Sequence, residues 1–366
     1  MSGRRIAQVL GTSTGGIGTH VASVTRELLS RGDRVTVYGP AATNEQFGFH
    51  ATGARFVPVE IPDGTDPVAH ARAAATLRRT LTGASGAKPD VVHAHGLRAG
   101  LASLTAKPAG TSLVVSWHID HAAGGESKLL AGATWTMAQG ADISLCTDRN
   151  HLAQLYSKGA KDVRYAPIAA PSLPAPARTV EDVKSELGVE GRSVVLSVGR
   201  LHQVKRFDVL IEAASTWTSD SQKPVVLIAG DGPMRQQLAS QVQSNGADVR
   251  LLGHRSDIAD LLAAADVAVV TSDSETRQFF AQEALRSGTP LVATRVGGLP
   301  ELIGDAAVMI EPGNSGAVAE ATMRVLTQDT LRTDLAEAAQ KQVAAWPSEE
   351  DTIDHLDAVY RELTGR

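Results

Sequence analysis

The chain has 366 residues, of which 20% are charged, and its formal net charge is −5 at pH 7. This length suits two domains, each large enough to bury its own core. The mildly acidic balance argues against a protein that wraps nucleic acid, because that role needs a clustered basic surface. The single cysteine, Cys146, excludes an internal disulfide, and we expect it to be a small buried residue in a protein of the reducing cytosol.

The sequence has no apolar run close to the roughly 20 residues that a membrane-spanning helix needs. The apolar run near the N-terminus is about five residues long, which is shorter than the core of a signal peptide. A glycine-rich loop follows it, as expected after a first strand. We therefore predict a cytoplasmic protein.

Short runs rich in Val, Ile and Leu alternate with helical stretches along the chain. Such runs, ending in Gly, Ser or His, are typical of parallel strands that are covered on both faces. The alternation predicts the α/β class with doubly wound sheets. The predicted strands are RIAQVL, RVTVYG, ARFVPVEI, DVVHAHG, SLVVSWH, DISLCT, SVVLSVG, PVVLIAG, VRLLG, VAVVTS, PLVAT and AAVMI.

A proline-rich segment interrupts this alternation once. Residues 166–178, APIAAPSLPAPAR, contain four prolines, and a helix that Thr179 can cap follows them. We therefore predict two Rossmann-like domains, one over residues 1–170 and the other over residues 178–345. Residues 346–366 are predicted to form a helix that could pack back on the N-terminal domain.

Glycines follow the first predicted strand, in GTSTGGIGTHV. Gly15, Gly16 and Gly18 open a helix, where backbone amides can approach a phosphate or a sugar. The spacing is not that of the dinucleotide fingerprint, and the second strand lacks the acidic residue that would hold an NAD ribose. A plain tight turn explains these glycines about equally well.

Histidines lie at the ends of two N-terminal strands. His118 follows SLVVSW and could hydrogen-bond a sugar hydroxyl or stabilise a developing charge. The alternative is a zinc site, with further ligands from the group His93, His95, Asp120 and His121. Their spacing matches no familiar zinc pattern, and hydrogen-bonded loop histidines explain His93 and His95 better.

Two cations flank the start of a helix in the C-terminal half. In SVVLSVGRLHQVKRFDVLIEA, a strand leads to Gly199 and Arg200, and Lys205 comes just before an amphipathic helix. A helix N-terminus adds partial positive charge. The arrangement suits a diphosphate leaving group, whose negative charge grows as its bond to a sugar breaks. Gly230, in IAGDGP, marks another strand-end turn, which is consistent with a structural role or with a nucleotide contact.

Two glutamates flank a helix start in TSDSETRQFFAQEALRSGTP. Glu275 lies in the loop after a strand and could reach a sugar hydroxyl. Glu283 lies about one turn into the helix and could accept both hydroxyls of a ribose. The amides of Phe279 and Phe280, at the helix start, can hold phosphate oxygens, whereas their rings are expected in the core.

These motifs together resemble the retaining glycosyltransferases of the GT-B fold, family 4. The resemblance covers the whole chain and is strongest from Val194 to Asp305. It implies two Rossmann-like domains that face each other across a cleft, the first binding the acceptor and the second the donor. It also implies hexose transfer from a UDP- or GDP-sugar, such as GDP-mannose, UDP-glucose or UDP-GlcNAc, to a glycan, lipid or small molecule.

Roles for the C-terminal residues follow from the same resemblance. Arg200 and Lys205 would bind the nucleotide diphosphate and offset its charge in the transition state. Glu283 would hold the ribose hydroxyls, and Glu275 would position the transferred sugar. The leaving phosphate would itself deprotonate the acceptor on the same face, so no metal and no cofactor beyond the nucleotide-sugar substrate is expected.

The resemblance assigns further residues to the donor and the acceptor. His118 would lie over the transferred sugar from the N-terminal domain. The loop at Gly15 and Gly16 would lie near the phosphates and the acceptor. His254 and Arg255 would border the base.

The chain departs from the family pattern next to Glu275. Family members commonly have glycines at the positions held here by Thr276 and Gln278, with Arg277 between them. This departure keeps open the alternative of a nucleotide-sugar-binding protein without turnover. A further alternative is an epimerase of UDP-N-acetylhexosamine, which shares the fold. A basic helix over residues 70–81 could contact the inner face of a membrane if the acceptor is a lipid, although a solvated face explains its arginines better.

Overall fold

The computed structural model describes residues 3–13, 15–64, 66–83, 88–118, 128–217 and 224–366. The chain divides into two compact units. Unit 1 comprises Met1–Pro171 together with Pro347–Arg366, and unit 2 comprises Ser172–Trp346. Among the helices of the described ranges, none has both the length and the apolar character needed to cross a membrane.

Unit 1 contains a parallel sheet in the strand order β3-β2-β1-β4-β5-β6-β7. Its strands are β1 Arg5–Leu10, β2 Arg34–Gly39, β3 Arg55–Pro58, β4 Val91–His95, β5 Ser112–Trp117, β6 Ile143–Cys146 and β7 Val163–Tyr165. Its helices are α1 Gly16–Ser30, α2 Ala41–Phe47, α3 Pro67–Thr82, α4 Leu97–Ala106, α5 Lys128–Gly140, α6 Arg149–Ser157 and α15 Glu349–Thr364, with a 3-10 turn at Phe49–Thr52.

Unit 2 contains a second parallel sheet in the order β10-β9-β8-β11-β12-β13. Its strands are β8 Val194–Val198, β9 Val225–Ala229, β10 Val249–Gly253, β11 Val267–Val270, β12 Leu291–Thr294 and β13 Ala307–Ile310. Its helices are α7 Val180–Glu186, α8 Phe207–Ser215, α9 Arg235–Asn245, α10 Ile258–Ala264, α11 Phe279–Ser287, α12 Leu299–Ile303, α13 Ser315–Thr327 and α14 Asp329–Ala344, with a 3-10 turn at Gln203–Lys205.

Each sheet is covered by apolar side chains on both faces. In β8, Val194 and Leu196 pack into one hydrophobic cluster, whereas Val195 packs into the cluster on the opposite face. Successive side chains of a strand point to opposite faces, so a strand buried on both faces has a continuous apolar sequence. The predicted α/β class with doubly wound parallel sheets is therefore confirmed, and Cys146 is buried as expected.

The last helix, α15, belongs to unit 1. Ser348 caps it in a capping box with Asp351. Its inner face, which includes Leu356 and Tyr360, packs in the hydrophobic cluster that also holds β1 residues such as Ile6. This helix therefore covers one face of the unit 1 sheet.

Strand β7 was not predicted from the sequence. Val163–Tyr165 has three residues at the edge of the unit 1 sheet, and the polar Arg164 lies in its middle. Because it lies at the edge, β7 is buried less than the central strands, and its sequence contains no apolar run that would mark it.

Candidate active site

A lysine and a glutamate meet at the carboxyl edge of the unit 2 sheet. The Lys205 ammonium donates to Oε1 of Glu275, and the Ser272 hydroxyl donates to the same oxygen at 2.6 Å. The side chains of Lys205 and Glu275 are only 20% and 11% exposed. Because β8 and β11 are neighbours in the sheet, two residues that are far apart in sequence form one ion pair.

Arg206 fixes the turn that carries Lys205. It is the non-glycine residue with positive φ, 49°, in the described ranges. Its guanidinium pairs with Asp208 and, at 3.0 Å, with Asp273. The Thr271 hydroxyl lies 3.0 Å from the carbonyl oxygens of both Lys205 and Arg206. The loops after β8 and β11 are therefore tied together beside the ion pair.

Arg200 is a partly buried cation at the end of β8. Within the described ranges, its guanidinium makes no hydrogen bond and no ion pair with another side chain. It follows Gly199, whose carbonyl oxygen would lie 1.9 Å from a Cβ atom at Gly230. Gly230, with φ of 140°, therefore permits a close backbone approach. Arg200 beside it has no counter-charge among the residues that the structure describes.

Glu283 lies on α11 and is partly buried. Burial raises the pKa of its carboxyl to about 7, and the nearby charge of Arg286 acts in the opposite direction. No hydrogen bond or ion pair joins this carboxylate to another residue of the described chain. A carboxylate that is desolvated yet lacks a protein donor is suited to accept hydrogen bonds from a ligand.

The N-terminus of α11 is not capped by a side chain. Gln278 is the N-cap residue and makes no capping hydrogen bond, so the amides of Phe279 and Phe280 remain available to an acceptor. The Phe280 ring lies in the core as expected, whereas Phe279 is only partly buried. Thr276 is one of the two residues at which the chain departs from the family pattern, and Arg277 follows it. Both residues are only 8% exposed.

A pair of glycines holds the backbone of Glu275. The Gly298 amide donates to the Glu275 carbonyl oxygen at 2.9 Å. A Cβ atom at Gly297, where φ is 50°, would lie 2.0 Å from the same oxygen. These two glycines, Ser272 and Arg206 were not predicted from the sequence, although the Gly-Gly dipeptide in RVGGLP is a usable signal for a close backbone approach.

The remaining unit 2 candidates lie at the end of β10. His254 is exposed. Arg255 pairs with Asp257 and with Glu186 of α7. The Arg255 guanidinium is therefore engaged in a protein ion-pair network, and its predicted contact with a base stays a prediction.

The glycine loop of unit 1 opens α1. Gly15 is the N-cap residue, and both Gly15 and Gly16 are exposed. A Cβ atom at Gly15 would meet nothing within 4 Å. Gly18, in contrast, lies against the Phe47 ring, and its amide donates to the Ser13 hydroxyl at 2.9 Å. Gly15 therefore leaves open space at this helix start, whereas Gly18 serves packing.

Four histidines cluster in unit 1. The His118 ring stacks on His95 with centroids 5.2 Å apart, and His20 of α1 meets both rings edge-on. His93 lies 4.3 Å from His95, centroid to centroid. Burial lowers the pKa of His20 to about 4 and that of His93 to about 3, and it also holds the pKa of His95 and His118 well below the ordinary value. These imidazoles are neutral at pH 7.

The alternative of a zinc site finds no support in the described ranges. They contain no group of three His, Cys, Asp or Glu side chains that could hold a metal ion. Asp120 and His121, two of the ligands considered, lie outside the described residues. His93 and His95 are instead hydrogen-bonded within the protein.

Two family models match this chain in sequence. The model of glycosyl transferases group 1 matches residues 180–342, and the glycosyl transferase 4-like domain matches residues 15–137. The first match contains Arg200, Lys205 and both glutamates of the site. The chain belongs to the group 1 glycosyltransferases.

Curated relatives agree with this family. N-acetyl-alpha-D-glucosaminyl L-malate synthase of Bacillus anthracis is 26% identical over 51% of this glycosyltransferase chain and 50% of its own length. The chain spans about half the length of the first curated relatives that it matches. D-inositol 3-phosphate glycosyltransferase 1 of Catenulispora acidiphila is 28% identical over 97% of this chain and 93% of its own.

Solved structures share the fold of this group 1 glycosyltransferase. Sucrose-phosphate synthase of Thermosynechococcus elongatus superposes with a TM-score of 0.80 at 18% identity, over 99% of both chains. HepE of Anabaena, solved in complex with UDP-glucose, has a TM-score of 0.79 at 18% identity, over 98% of this chain and 99% of its own. The predicted GT-B fold is confirmed by these likenesses.

Proposed function

We propose that this chain is a retaining, metal-independent hexosyltransferase that uses a UDP- or GDP-sugar and a hydroxyl-bearing acceptor. The observation that carries the proposal is the charge arrangement at the carboxyl edge of the unit 2 sheet. Lys205 is paired with Glu275, and Arg200 beside them has no counter-charge among the described residues. A diphosphate supplies the missing negative charge, and a sugar joined to it brings hydroxyls to the glutamate.

In this proposal the two cations act on the leaving group. As the bond between the anomeric carbon and the β-phosphate oxygen breaks, negative charge accumulates on the diphosphate. Arg200 and Lys205 attract that charge more strongly in the transition state than in the ground state, which lowers the barrier. The amides of Phe279 and Phe280 add neutral donors to the same phosphates.

The two glutamates bind hydroxyl groups of the donor. Glu275 is held in place by Lys205, Ser272 and the backbone contacts of its carbonyl group, so it can position the transferred sugar. Glu283 accepts hydrogen bonds from the ribose hydroxyls, which supply the donors that this partly buried carboxylate lacks among the described residues. His118 is assigned to a hydroxyl of the transferred sugar.

The acceptor proton needs a base in any glycosyl transfer. In the proposed retaining reaction, the acceptor oxygen bonds to the anomeric carbon on the face that the phosphate leaves. The acceptor proton passes to the departing phosphate oxygen. No protein base is required, and the positive charge that the diphosphate needs comes from Arg200 and Lys205.

The identity of the donor is tested first by ligand-dependent stabilisation. The HepE complex with UDP-glucose favours a UDP-sugar. A thermal-shift series with UDP-, GDP-, ADP- and dTDP-sugars should single out one nucleotide, because a ligand at a hundred times its dissociation constant stabilises a protein by about 2.7 kcal/mol. The absence of stabilisation by all four classes would contradict the proposal.

The catalytic role is tested with matched lysine variants. Lys205→Ala should lower the rate of nucleotide release with acceptor by about a hundredfold or more. Lys184→Ala is the control, because Lys184 is in the same unit, is also 20% exposed and is also ion-paired, with Asp266. Glu283→Ala should likewise lose transfer while the protein stays folded. Full activity of both the Lys205 and the Glu283 variants would refute the assignment.

The same assays distinguish the two alternatives. Binding without turnover is favoured by Thr276 and Gln278, since these residues replace glycines that would let the backbone approach the sugar. It would give stabilisation by a nucleotide sugar with no nucleotide release in the presence of any acceptor. Isomerised sugar formed without an acceptor would indicate the epimerase.

A lipid acceptor would add a membrane contact at the cytoplasmic face. Arg72, Arg78 and Arg79 are exposed on α3 and could rest on anionic headgroups. Sedimentation with anionic vesicles at low salt, lost at high salt, would support this contact. No sedimentation at low salt would contradict it.

A further inference from the structure

The backbone at Arg206 has a conformation that favours glycine. Arg206 ends the 3-10 turn Gln203–Lys205 and is also the N-cap residue of α8, with φ of 49° and ψ of 42°. Glycine adopts this left-handed region far more readily than a residue with a long side chain. The Arg206 side chain makes no capping hydrogen bond to α8. The physical reason for an arginine at this position therefore lies in the other contacts of its guanidinium.

That guanidinium spans two carboxylates. Its Nε and Nη2 atoms donate to Asp208, in the first turn of α8, at 3.1 Å each. Its Nη1 atom donates to the two oxygens of Asp273 at 3.1 and 3.0 Å. Asp273 lies in the loop after β11, two residues before Glu275, and its amide donates to the carbonyl oxygen of Val204 at 2.8 Å. Arg206 therefore joins α8 to the loop that carries Glu275.

The ion pair of Arg206 and Asp273 lies next to the contacts that hold Glu275. Lys205 precedes Arg206 in the chain, and Ser272 precedes Asp273. The Lys205 ammonium and the Ser272 hydroxyl donate to the same oxygen, Oε1 of Glu275. These two donors come from different loops, so they converge on one oxygen only while the two loops keep their separation.

The second oxygen of this carboxylate matters for the ligand. Among the described residues, none donates a hydrogen bond to Oε2 of Glu275. With Oε1 held by two donors, Oε2 is the acceptor that remains for a hydroxyl. Loosening either loop would let the carboxylate rotate and would remove this distinction between its oxygens.

We propose that Arg206 and Asp273 are positioning residues, whose ion pair holds the loop of Lys205 against the loop of Glu275. The inference rests on the proposed function and deepens it, because Lys205 and Glu275 are assigned there to the diphosphate and the transferred sugar. It makes the Arg206 side chain essential, and not the backbone conformation of the turn.

Cancellation of charge is the competing explanation. Asp208 and Asp273 would each repel a diphosphate, and a guanidinium between them offsets that repulsion. If Arg206 did no more than this, removal of either carboxylate would strengthen the binding of a nucleoside diphosphate. Positioning predicts instead that the two carboxylates are unequal, because only Asp273 lies on the loop of Glu275.

The first experiment measures how firmly Lys205 is held, and it needs no substrate. Only an unprotonated amine reacts with acetic anhydride, and a neighbouring carboxylate favours the protonated form. Mass spectrometry after a short treatment gives the acetylation rate of each lysine. Arg206→Gly should raise the rate at Lys205 by about fivefold, the effect of weakening one partly exposed ion pair. Lys184, which is also 20% exposed and ion-paired, should keep its rate.

The two carboxylates supply a matched pair of variants. Asp273→Asn and Asp208→Asn each remove one negative charge from the same guanidinium, and the two side chains are similarly exposed, at 41% and 35%. Asp273→Asn should reproduce the faster acetylation of Lys205, whereas Asp208→Asn should change it by less than about twofold. Equal effects of the two variants would overturn the proposal. Tighter nucleoside diphosphate binding in both, with acetylation unchanged, would establish charge cancellation in its place.

The second experiment measures transfer. Arg206→Gly should lower kcat by about tenfold and change KM for the donor by less than about threefold, because misplaced groups cost most in the transition state. Asp273→Asn should have the same effect, and the double variant should be no worse than either single one, since both remove the same ion pair. Circular dichroism checks that each variant is folded.

Two results would be decisive against these assignments. Wild-type values of both kcat and the Lys205 acetylation rate in Arg206→Gly would overturn the positioning role. A wild-type protein without transfer activity would contradict the proposed function, whereas the acetylation rates would still decide the role of Arg206 and Asp273.

Discussion

The carboxyl edges of the two sheets carry different chemistry. In unit 1, Gln8, His95 and His118 are uncharged groups that are joined by hydrogen bonds within the protein. In unit 2, Lys205 and Glu275 are charged, and Arg200 beside them has no counter-charge among the described residues. A neutral network can be completed by the protein itself, whereas an unpaired cation favours the binding of an anion. Unit 1 is therefore suited to hold a ring in place and unit 2 to gain an anion.

The largest expected difference in stability between the two sheet edges comes from substitutions at glycines. Gly297→Ala should destabilise the protein by about 3 kcal/mol, because its Cβ atom would overlap the Glu275 carbonyl oxygen in a backbone region that alanine disfavours. Gly15→Ala should change stability by less than about 0.5 kcal/mol, since its Cβ atom would enter open space. Urea unfolding of both variants measures the difference. Equal free energies of unfolding for the two variants would contradict this difference between the edges.

The pH dependence of stability should have opposite signs in the two units. The folded-state pKa of Glu283 is raised from 4.5 to about 7, so the folded protein binds more protons than the unfolded chain between these values. This contribution is fully present below pH 4.5 and is lost as the pH rises to about 7. Glu283→Gln should therefore be more stable than the wild type at pH 8, by at most about 3 kcal/mol, with little difference at pH 4.5.

The exposed Glu212 supplies the control for this comparison. Glu212→Gln should leave the shape of the stability profile between pH 4.5 and 8 unchanged. A Glu283→Gln profile that runs parallel to that of the wild type would show that burial does not disfavour the charged form of this carboxylate.

For the histidines of unit 1 the sign is reversed. The folded-state pKa of His20 is lowered from 6.5 to about 4, so the unfolded chain binds more protons in this window. Stability is fully present above pH 6.5 and is lost as the pH falls towards 4. In His20→Gln this loss should be smaller by on the order of 2 kcal/mol, because the other three histidines still contribute. Thermal unfolding at pH 7 and pH 4.5, with the exposed His50→Gln as control, tests it.

The smallest change in stability is expected for a substitution at Arg200. Arg200→Ala should change stability by less than about 0.5 kcal/mol, because no ion pair to the described chain is lost. Arg192→Ala removes an ion pair with Asp248, at 2.6 Å, and should destabilise by up to about 1 kcal/mol. Only Arg200→Ala should weaken diphosphate binding, by about tenfold in calorimetry. If Arg200→Ala destabilised the protein more than Arg192→Ala and left diphosphate binding unchanged, Arg200 would have a structural role.

Local patterns in the sequence predicted the α/β class and the nearly continuous apolar strands, because burial on both faces leaves a signature within each segment. They also predicted which residue types follow each strand: Arg200 and Lys205 after β8, Glu275 after β11 and His118 after β5. Strand β7 was missed because an edge position imposes no apolar run on Val163–Tyr165.

Only the tertiary structure decided which of these side chains meet. Lys205 and Glu275 form an ion pair because β8 lies beside β11, and Gln8 contacts His95 and Tyr360 because β1 lies beside β4 under α15. Strand order and helix packing are long-range properties, and Gln8 within a hydrophobic strand carries no sign of its partners. The sequence by itself determined the chemistry available at each strand end, and the packing of the strands determined the pairs, because contact depends on position in space and not on separation along the chain.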